Sequence, residues 1–190
     1  GANKQAVDII GTHTDMHAQA YFDYDSKKSG GLTISHLRFG NKEIKAPYLI
    51  NQADFISCSN QSYMYKYNLL DGLKDGGTFL FNTTMSAEEL AEKMPAAMKR
   101  TLAEKQAKFY IIDAVNIAKD LGLGNHTNMI MQAAFFKLTG VIPEDTAVNA
   151  LYESIEHSYG SQMHMQRNIR RLLRLSIRKT ADMEKLSMPA

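Results

Sequence analysis

Two short runs, Thr78-Phe79-Leu80-Phe81-Asn82 and Phe109-Tyr110-Ile111-Ile112-Asp113, are apolar without alternation. A strand that is apolar on both faces has to be covered on both, the situation of a parallel sheet between two helical layers. Strand-like and helix-like segments alternate around these runs. Residues 4–10 carry Ala6, Val7, Ile9 and Ile10 at helical spacing, and Gly11 is expected to stop that helix. Residues 18–24 are short and aromatic-rich, ended by Asp25-Ser26, and predict a strand; residues 32–39 predict a second strand or half of a β-excursion. Residues 48–50 and 54–58 bracket a turn of helix and then a buried strand, and 62–74 suits a helix ended by Asp75-Gly76-Gly77.

Ser86-Ala87-Glu88-Glu89 sets a hydroxyl cap before an acidic first turn, so a helix opens near Glu88 and breaks at Met94-Pro95. Residues 96–104 form another, and 109–113 is the last clear strand. Beyond it the chain reads as helical over 114–121, 128–138 and 143–159, each stopped by a glycine. The middle helix is apolar nearly all round and is expected to be buried on most sides. The fold class is therefore α/β: a mostly parallel sheet covered by helices, with a helical C-terminal third.

At 190 residues this is one domain or a compact pair. Its 44% apolar and 22% charged residues are ordinary for a globular chain. No uncharged apolar run approaches the ~18–20 residues of a membrane span, and no leader pattern opens the sequence; a soluble, cytoplasmic domain is expected. Cys58 is the only cysteine. That excludes an internal disulfide, a Cys-ligated zinc site and an iron–sulfur cluster held by this chain alone. The sequence opens at Gly1 without a methionine, which predicts a processed chain or a piece of something longer.

Several stretches can meet an anion. Gly1-Ala2-Asn3-Lys4 leads straight into the first helix, where free N–H groups and the helix dipole favour negative charge. Lys4 opposes that dipole, a small cost that makes sense beside a bound anion. Asp25-Ser26-Lys27-Lys28-Ser29-Gly30-Gly31 combines hydroxyls, lysines and glycines in one turn, although the P-loop order is absent. Taken alone it equally reads as a solvated turn. His36 and Arg38 share one face of the following strand and can extend the same anion site or form an ordinary polar face. His13 and His17 stand four apart, but a glycine before them and a strand after them argue against a helical metal face. No HExxH, GxSxG or Cys–His spacing supports independent catalysis.

The net charge of +2 conceals an asymmetry: residues 167–179 hold six Lys/Arg and no acid, leaving 16 Lys/Arg against 20 Asp/Glu elsewhere. Arg167, Arg170, Arg171, Arg174 and Arg178 alternate with Ile169, Leu172, Leu173, Leu175 and Ile177. This reads as a basic amphipathic helix, of a kind that can bind nucleic acid, acidic lipid or a calmodulin-like partner, or pack as a surface helix on a neighbouring domain. No aromatic interleaves with the arginines, and neither nucleic acid nor membrane is expected as a partner.

Read together, Gly1-Ala2-Asn3-Lys4, Thr14-Asp15-Met16, the long run from Tyr24-Asp25-Ser26-Lys27-Lys28-Ser29-Gly30-Gly31 through Ser35-His36-Leu37-Arg38-Phe39-Gly40, Asn51-Gln52-Ala53-Asp54-Phe55, and Asn128-Met129-Ile130-Met131-Gln132 resemble one family. It is the gamma domain of pyruvate:ferredoxin (flavodoxin) oxidoreductase, among the 2-oxoacid:acceptor oxidoreductases. A separate gamma subunit of another 2-oxoacid enzyme and a non-catalytic nucleotide-binding scaffold are the alternatives. The resemblance implies a Rossmann-like domain over residues 1–160, lacking its first strand and glycine loop, and a basic tail or linker over 161–190. It implies an enzyme that turns pyruvate and coenzyme A into acetyl-CoA and CO₂, passes electrons to ferredoxin or flavodoxin, and works as a homodimer. Thiamine diphosphate and iron–sulfur clusters belong to its other domains; this chain holds none and is inactive alone. Coenzyme A, a substrate, is expected to meet Gly1, Asn3, Lys4, Ser26, Lys27, Lys28 and Ser29.

Overall fold

The computed structural model describes residues 2–24, 33–45, 50–159 and 178–179. Helix α1 (Ala2–His13) is followed by a two-stranded antiparallel ribbon, β1 (His17–Tyr24) and β2 (Thr33–Gly40). Then come β3 (Ala53–Cys58), a 3-10 turn at Gln61–Tyr65, β4 (Leu73–Asn82), α2 (Ala87–Lys93), α3 (Ala96–Glu104) and β5 (Lys108–Ile112). Helices α4 (Ala114–Asp120), α5 (Thr127–Thr139) and α6 (Glu144–Tyr159) follow, and β6 (Arg178–Lys179) ends the described chain. The main sheet has the order β3-β4-β5-β6, with β3, β4 and β5 parallel and β6 antiparallel to β5.

The two apolar runs behave as their composition demands. Alternate residues of β4 and β5 feed two cores. Leu80 and Ile112 point to the side covered by α1, α4, α5 and α6, where they meet Ile10, Ala118, Ile130, Phe136 and Leu151. Phe79, Phe81, Phe109 and Ile111 point to the other, closed by Leu90 of α2 and by Met98 and Leu102 of α3. Phe79 and Phe109 are register partners, and their rings stack at 5.3 Å and 12°. Each of these side chains contributes about 1.5–3 kcal/mol by leaving water. Helix α5 lies buried along Met129–Ala134 and at Phe136, and ends at Gly140, whose φ of 59° a side chain would strain. Phe135 on its flank meets Phe39 of β2 and Phe55 of β3 edge-on, at 6.1 and 5.3 Å. That contact ties the ribbon to the sheet.

Four expectations need correction. Gly11 does not stop α1, which runs on to His13. The helix expected over 62–74 does not form. The Asn60 side chain accepts from Ser62 N at 3.0 Å and winds only a 3-10 turn, after which the chain tightens at Gly72 (φ +79°) and pairs at Leu73. Gly72 O accepts from Ala53 N at 2.7 Å. Asp75-Gly76-Gly77 therefore lies inside β4, where the register against β3 shifts, and does not end a helix. The strand at 109–113 is not the last, since Ile111 and Tyr110 pair with Arg178 and Lys179. Those two residues of the basic stretch are extended and not helical; the rest of it lies outside the described residues.

Candidate functional site: the carboxyl edge and the ribbon

Parallel strands β3, β4 and β5 end side by side at Cys58, Asn82 and Ile112. In open α/β sheets this carboxyl edge is where ligands settle, because helices start there with unpaired N–H groups. Here the chain satisfies those donors itself. Asn60 caps the 3-10 turn. Ser86 and Glu89 form a reciprocal capping box on α2, both bonds at 3.1 Å. Asp113 caps α4, accepting from Asn116 N at 3.0 Å and from Asn116 Nδ2 at 2.6 Å. Buried Asn82 bridges the edge: its Nδ2 donates to Ser59 O at 3.0 Å and its Oδ1 accepts from Ala114 N at 2.9 Å. Thr83 Oγ1 donates to Gln61 Oε1 at 2.8 Å, and Thr84 N donates to the same oxygen at 3.2 Å. The side chains at this edge are thus engaged with the backbone and with one another, and two of the caps, Glu89 and Asp113, are carboxylates.

Cys58 sits at the end of β3 with its thiol donating to Asn60 O at 3.2 Å. Burial pushes that thiol above its ordinary value, and hydrogen bonding to the Asn60 backbone only partly offsets the rise. It is a poor nucleophile. Among the described residues no group of three His, Cys, Asp or Glu side chains comes together to hold a metal. His13 ends α1 whereas His17 opens β1, so the pair shares no helix face.

The ribbon end differs. Only Thr14, Asp15 and Met16 separate α1 from β1, and the turn is locked by Thr14 Oγ1 donating to Ile10 O (2.6 Å) and accepting from Met16 N (3.1 Å). Helix and ribbon pack side by side, so the chain doubles back. Helix α1 packs on both strands of the ribbon, whose far end is the pairing of Tyr24 with Thr33. Asn3 and Lys4 lie in the first turn of α1, which contains no acid; residues 25–32 join Tyr24 to Thr33. Gly1, Ser26, Lys27, Lys28 and Ser29 lie outside the described residues. His36 and Arg38 are half-buried on β2, on the face opposite to Leu37 and Phe39, which pack on the core. The antiparallel register adds His17 and Gln19 to their face, and Arg38 Nη1 reaches Gln19 Oε1 at 3.5 Å. Sequence reading did not group those two with Arg38, because strand pairing across an eight-residue connection has no local signal.

Residues 2–174 match the family described as pyruvate ferredoxin/flavodoxin oxidoreductase. The chain belongs to this family. Its relatives include a pyruvate-flavodoxin oxidoreductase of Enterobacter agglomerans, 62% identical over 162 residues, and a pyruvate:ferredoxin oxidoreductase of Moorella thermoacetica, 59% identical over 162. Each alignment covers 85% of this chain and 14% of the relative, so the chain spans about a seventh of the curated relatives it matches. A mitochondrial NADP-linked pyruvate dehydrogenase of Euglena gracilis is 48% identical over 162 residues, covering 85% of this chain and 9% of that protein. Among solved structures, pyruvate oxidoreductase subunit PORC of Thermotoga maritima superposes with a TM-score of 0.66 at 18% identity, covering 93% of this chain and 88% of that one. The gamma subunit of a keto/oxoacid ferredoxin oxidoreductase from Geobacter sulfurreducens gives 0.63 at 16% identity, covering 91% and 88%. The α/β architecture of these gamma subunits is the one this family member adopts. No helix among the described residues is long and apolar enough to cross a membrane.

Proposed function

We propose that this chain is the gamma domain of an oxidoreductase that converts pyruvate and coenzyme A to acetyl-CoA and CO₂ and passes electrons to ferredoxin or flavodoxin. The observation that carries the reading is the 62% identity to a pyruvate-flavodoxin oxidoreductase across 162 residues. Residues 1–160 are the domain proper and 161–190 the link to the next domain. The parent enzyme is a cytoplasmic homodimer in this reading. A single cysteine cannot hold an iron–sulfur cluster. In this reading the clusters and thiamine diphosphate belong to other domains, as the family resemblance implies, and the latter supplies the carbanion chemistry.

The domain's own part is to hold coenzyme A so that its thiol reaches the reacting centre. We assign the phosphates to the first turn of α1 (Gly1, Asn3, Lys4) and to Ser26, Lys27, Lys28 and Ser29. Three features support this. The carboxyl edge of the sheet is occupied by its own caps. The first turn of α1 carries a lysine and no acid. The helix and the strands flanking the lysine turn pack as one unit. The test is kinetic. In the full-length oxidoreductase, Lys27→Ala with Lys28→Ala is expected to raise the KM for coenzyme A roughly 10- to 100-fold, the equivalent of about 1–3 kcal/mol. The KM for pyruvate should stay as it was. Unchanged constants for coenzyme A would remove the turn from the site.

A further inference from the structure

Residues 57–70 carry one charged side chain, Lys66, where the 22% of the whole chain would give about three, and they hold three of its nine tyrosines. Depletion of charge with enrichment in tyrosine is the composition of the core of a protein–protein interface. The fold displays these tyrosines instead of burying them. Asn60 caps the 3-10 turn through Ser62 N, and Lys66 N and Tyr67 N both donate to Tyr63 O, at 3.1 and 3.0 Å. Met64, 4% exposed, anchors the turn in the core that α2 and α3 close. Tyr63 and Tyr67 meet edge-on at 5.2 Å. Tyr65 stands 59% exposed, one of two large apolar side chains left so open among the described residues. Gln61 Oε1, which accepts from Thr83 Oγ1 and Thr84 N, draws the next loop alongside. Met85 and Tyr63 consequently lie half-buried at the rim of the same core. The result is a braced, nearly uncharged aromatic patch, whose tyrosines offer large contact area with little side-chain entropy to lose.

We propose that this patch, centred on Tyr65, is the docking surface for another domain of the same polypeptide, which meets it with an uncharged, apolar surface. The inference rests on the reading of this chain as one domain of a longer oxidoreductase and is independent of where coenzyme A binds. The chain spans 14% of relatives 62% and 59% identical to it, so most of such a polypeptide lies outside these residues and is at hand to cover their surface. The neighbouring helices show what a face kept for water looks like here: α2 and α3 expose Glu88, Glu92, Lys93 and Arg100. No such charges surround Tyr65 along its own segment, apart from Lys66. A charged partner surface would be desolvated against the tyrosines without a counter-charge, which is costly; an apolar one is not.

Hydroxyl-radical footprinting of the full-length oxidoreductase tests this. Because interface cores pack as densely as protein interiors, Tyr65 is expected to be modified about 10-fold or more slowly in the native enzyme than in the same enzyme unfolded in urea. A ratio under about 3, the value for a side chain open to water, overturns the proposal. A photo-crosslinking amino acid placed at position 65 should then link to a segment of the same polypeptide outside residues 1–190. Links that stay within residues 1–190 would mean that the chain covers its own patch. Links between position 65 of two copies would mean a symmetric contact, and links to a separate protein a different occupant. Each of these three outcomes overturns the proposal as well. A natural protein no longer than these 190 residues would overturn the reading of the chain as one domain together with the proposal. In a longer protein an open Tyr65 overturns the proposal alone.

Discussion

Asn82 is the side chain whose removal should be felt furthest. It is 5% exposed and is one of three buried polar or charged residues among those described. Its amide joins the end of β3 to the start of α4 through Ser59 O and Ala114 N. Asn82→Ala deletes both partners at once. Ala114 is fully buried, so its N–H would find no water; an unmade buried bond of this kind costs about 1–3 kcal/mol. Ser59 is exposed, and its carbonyl can rehydrate, so only the net worth of a bond, about 0.5–1.5 kcal/mol, is lost there. The total is roughly 2–4 kcal/mol.

With a urea slope of about 2 kcal/mol/M, mid-range for a domain of this kind, the unfolding midpoint should fall by roughly 1–2 M. Hydrogen exchange supplies the local readout. The Ala114 amide should exchange far faster in Asn82→Ala, whereas amides in the middle of α5, remote from the edge, should move only by the global loss. Thr84→Ala is the control at the same edge. It keeps the backbone bond from Thr84 N to Gln61 and should stay within about 0.5 kcal/mol of wild type, as exposed substitutions do. A midpoint shift no larger for Asn82→Ala than for Thr84→Ala would refute the reasoning, because it would mean that water or a neighbouring group replaces both bonds.

Other perturbations follow from single contacts. Ser86→Ala opens the capping box on α2 and should cost about 1 kcal/mol, seen as a Tm lower by about 2–4 °C. Gly72→Ala meets two obstacles, a φ of +79° and a Cβ placed 2.6 Å from Asn51 O; the loop into β4 must shift, and a loss of more than 1 kcal/mol in urea unfolding is expected. Cys58 should react with a thiol reagent at pH 8 many times more slowly in the native protein than in urea. Because burial raises its folded pKa above the ordinary value of 9.0, the thiol's own contribution to stability should be constant well below pH 9.0 and fall as pH rises beyond it; a Cys58→Ala variant should lose less stability than wild type over that alkaline range.

What the sequence made legible was whatever local pattern decides. The runs at Phe79–Phe81 and Phe109–Ile112 are apolar on both faces, and no arrangement but a covered parallel sheet suits them. Ser86 before Glu88 and Glu89 announced a hydroxyl cap and an acidic first turn, which the structure completes as a capping box through Glu89. The helix expected over 62–74 failed because apolar spacing there competes with a side-chain cap and a turn: Asn60 captures Ser62 N, and pairing of Ala53 with Leu73 draws the following residues into a strand. That pairing joins positions twenty residues apart and leaves no trace in the window around Ser62. His36 and Arg38 were visible as one face of a strand, but Gln19 and His17 join them only through the ribbon register.

The placing of these groups then bears on what a domain like this contributes. At the carboxyl edge every candidate reacting group is already engaged: Asp113 holds Asn116 and the start of α4, Glu89 holds the Ser86 amide, and the Cys58 thiol is buried and kept protonated. A general base must be within reach of the proton it takes and near the right pKa, and none of these three meets both conditions. The ribbon carries Arg38, whose Nη1 meets Gln19 Oε1, and the first turn of α1 carries Lys4; neither is a nucleophile. In the function proposed above, groups of this kind bind a substrate equally in the ground and transition states, so their loss should raise KM and leave kcat nearly untouched. A variant of the ribbon that lowered kcat at saturating coenzyme A while leaving KM alone would place a reacting group in this domain and contradict that division of labour.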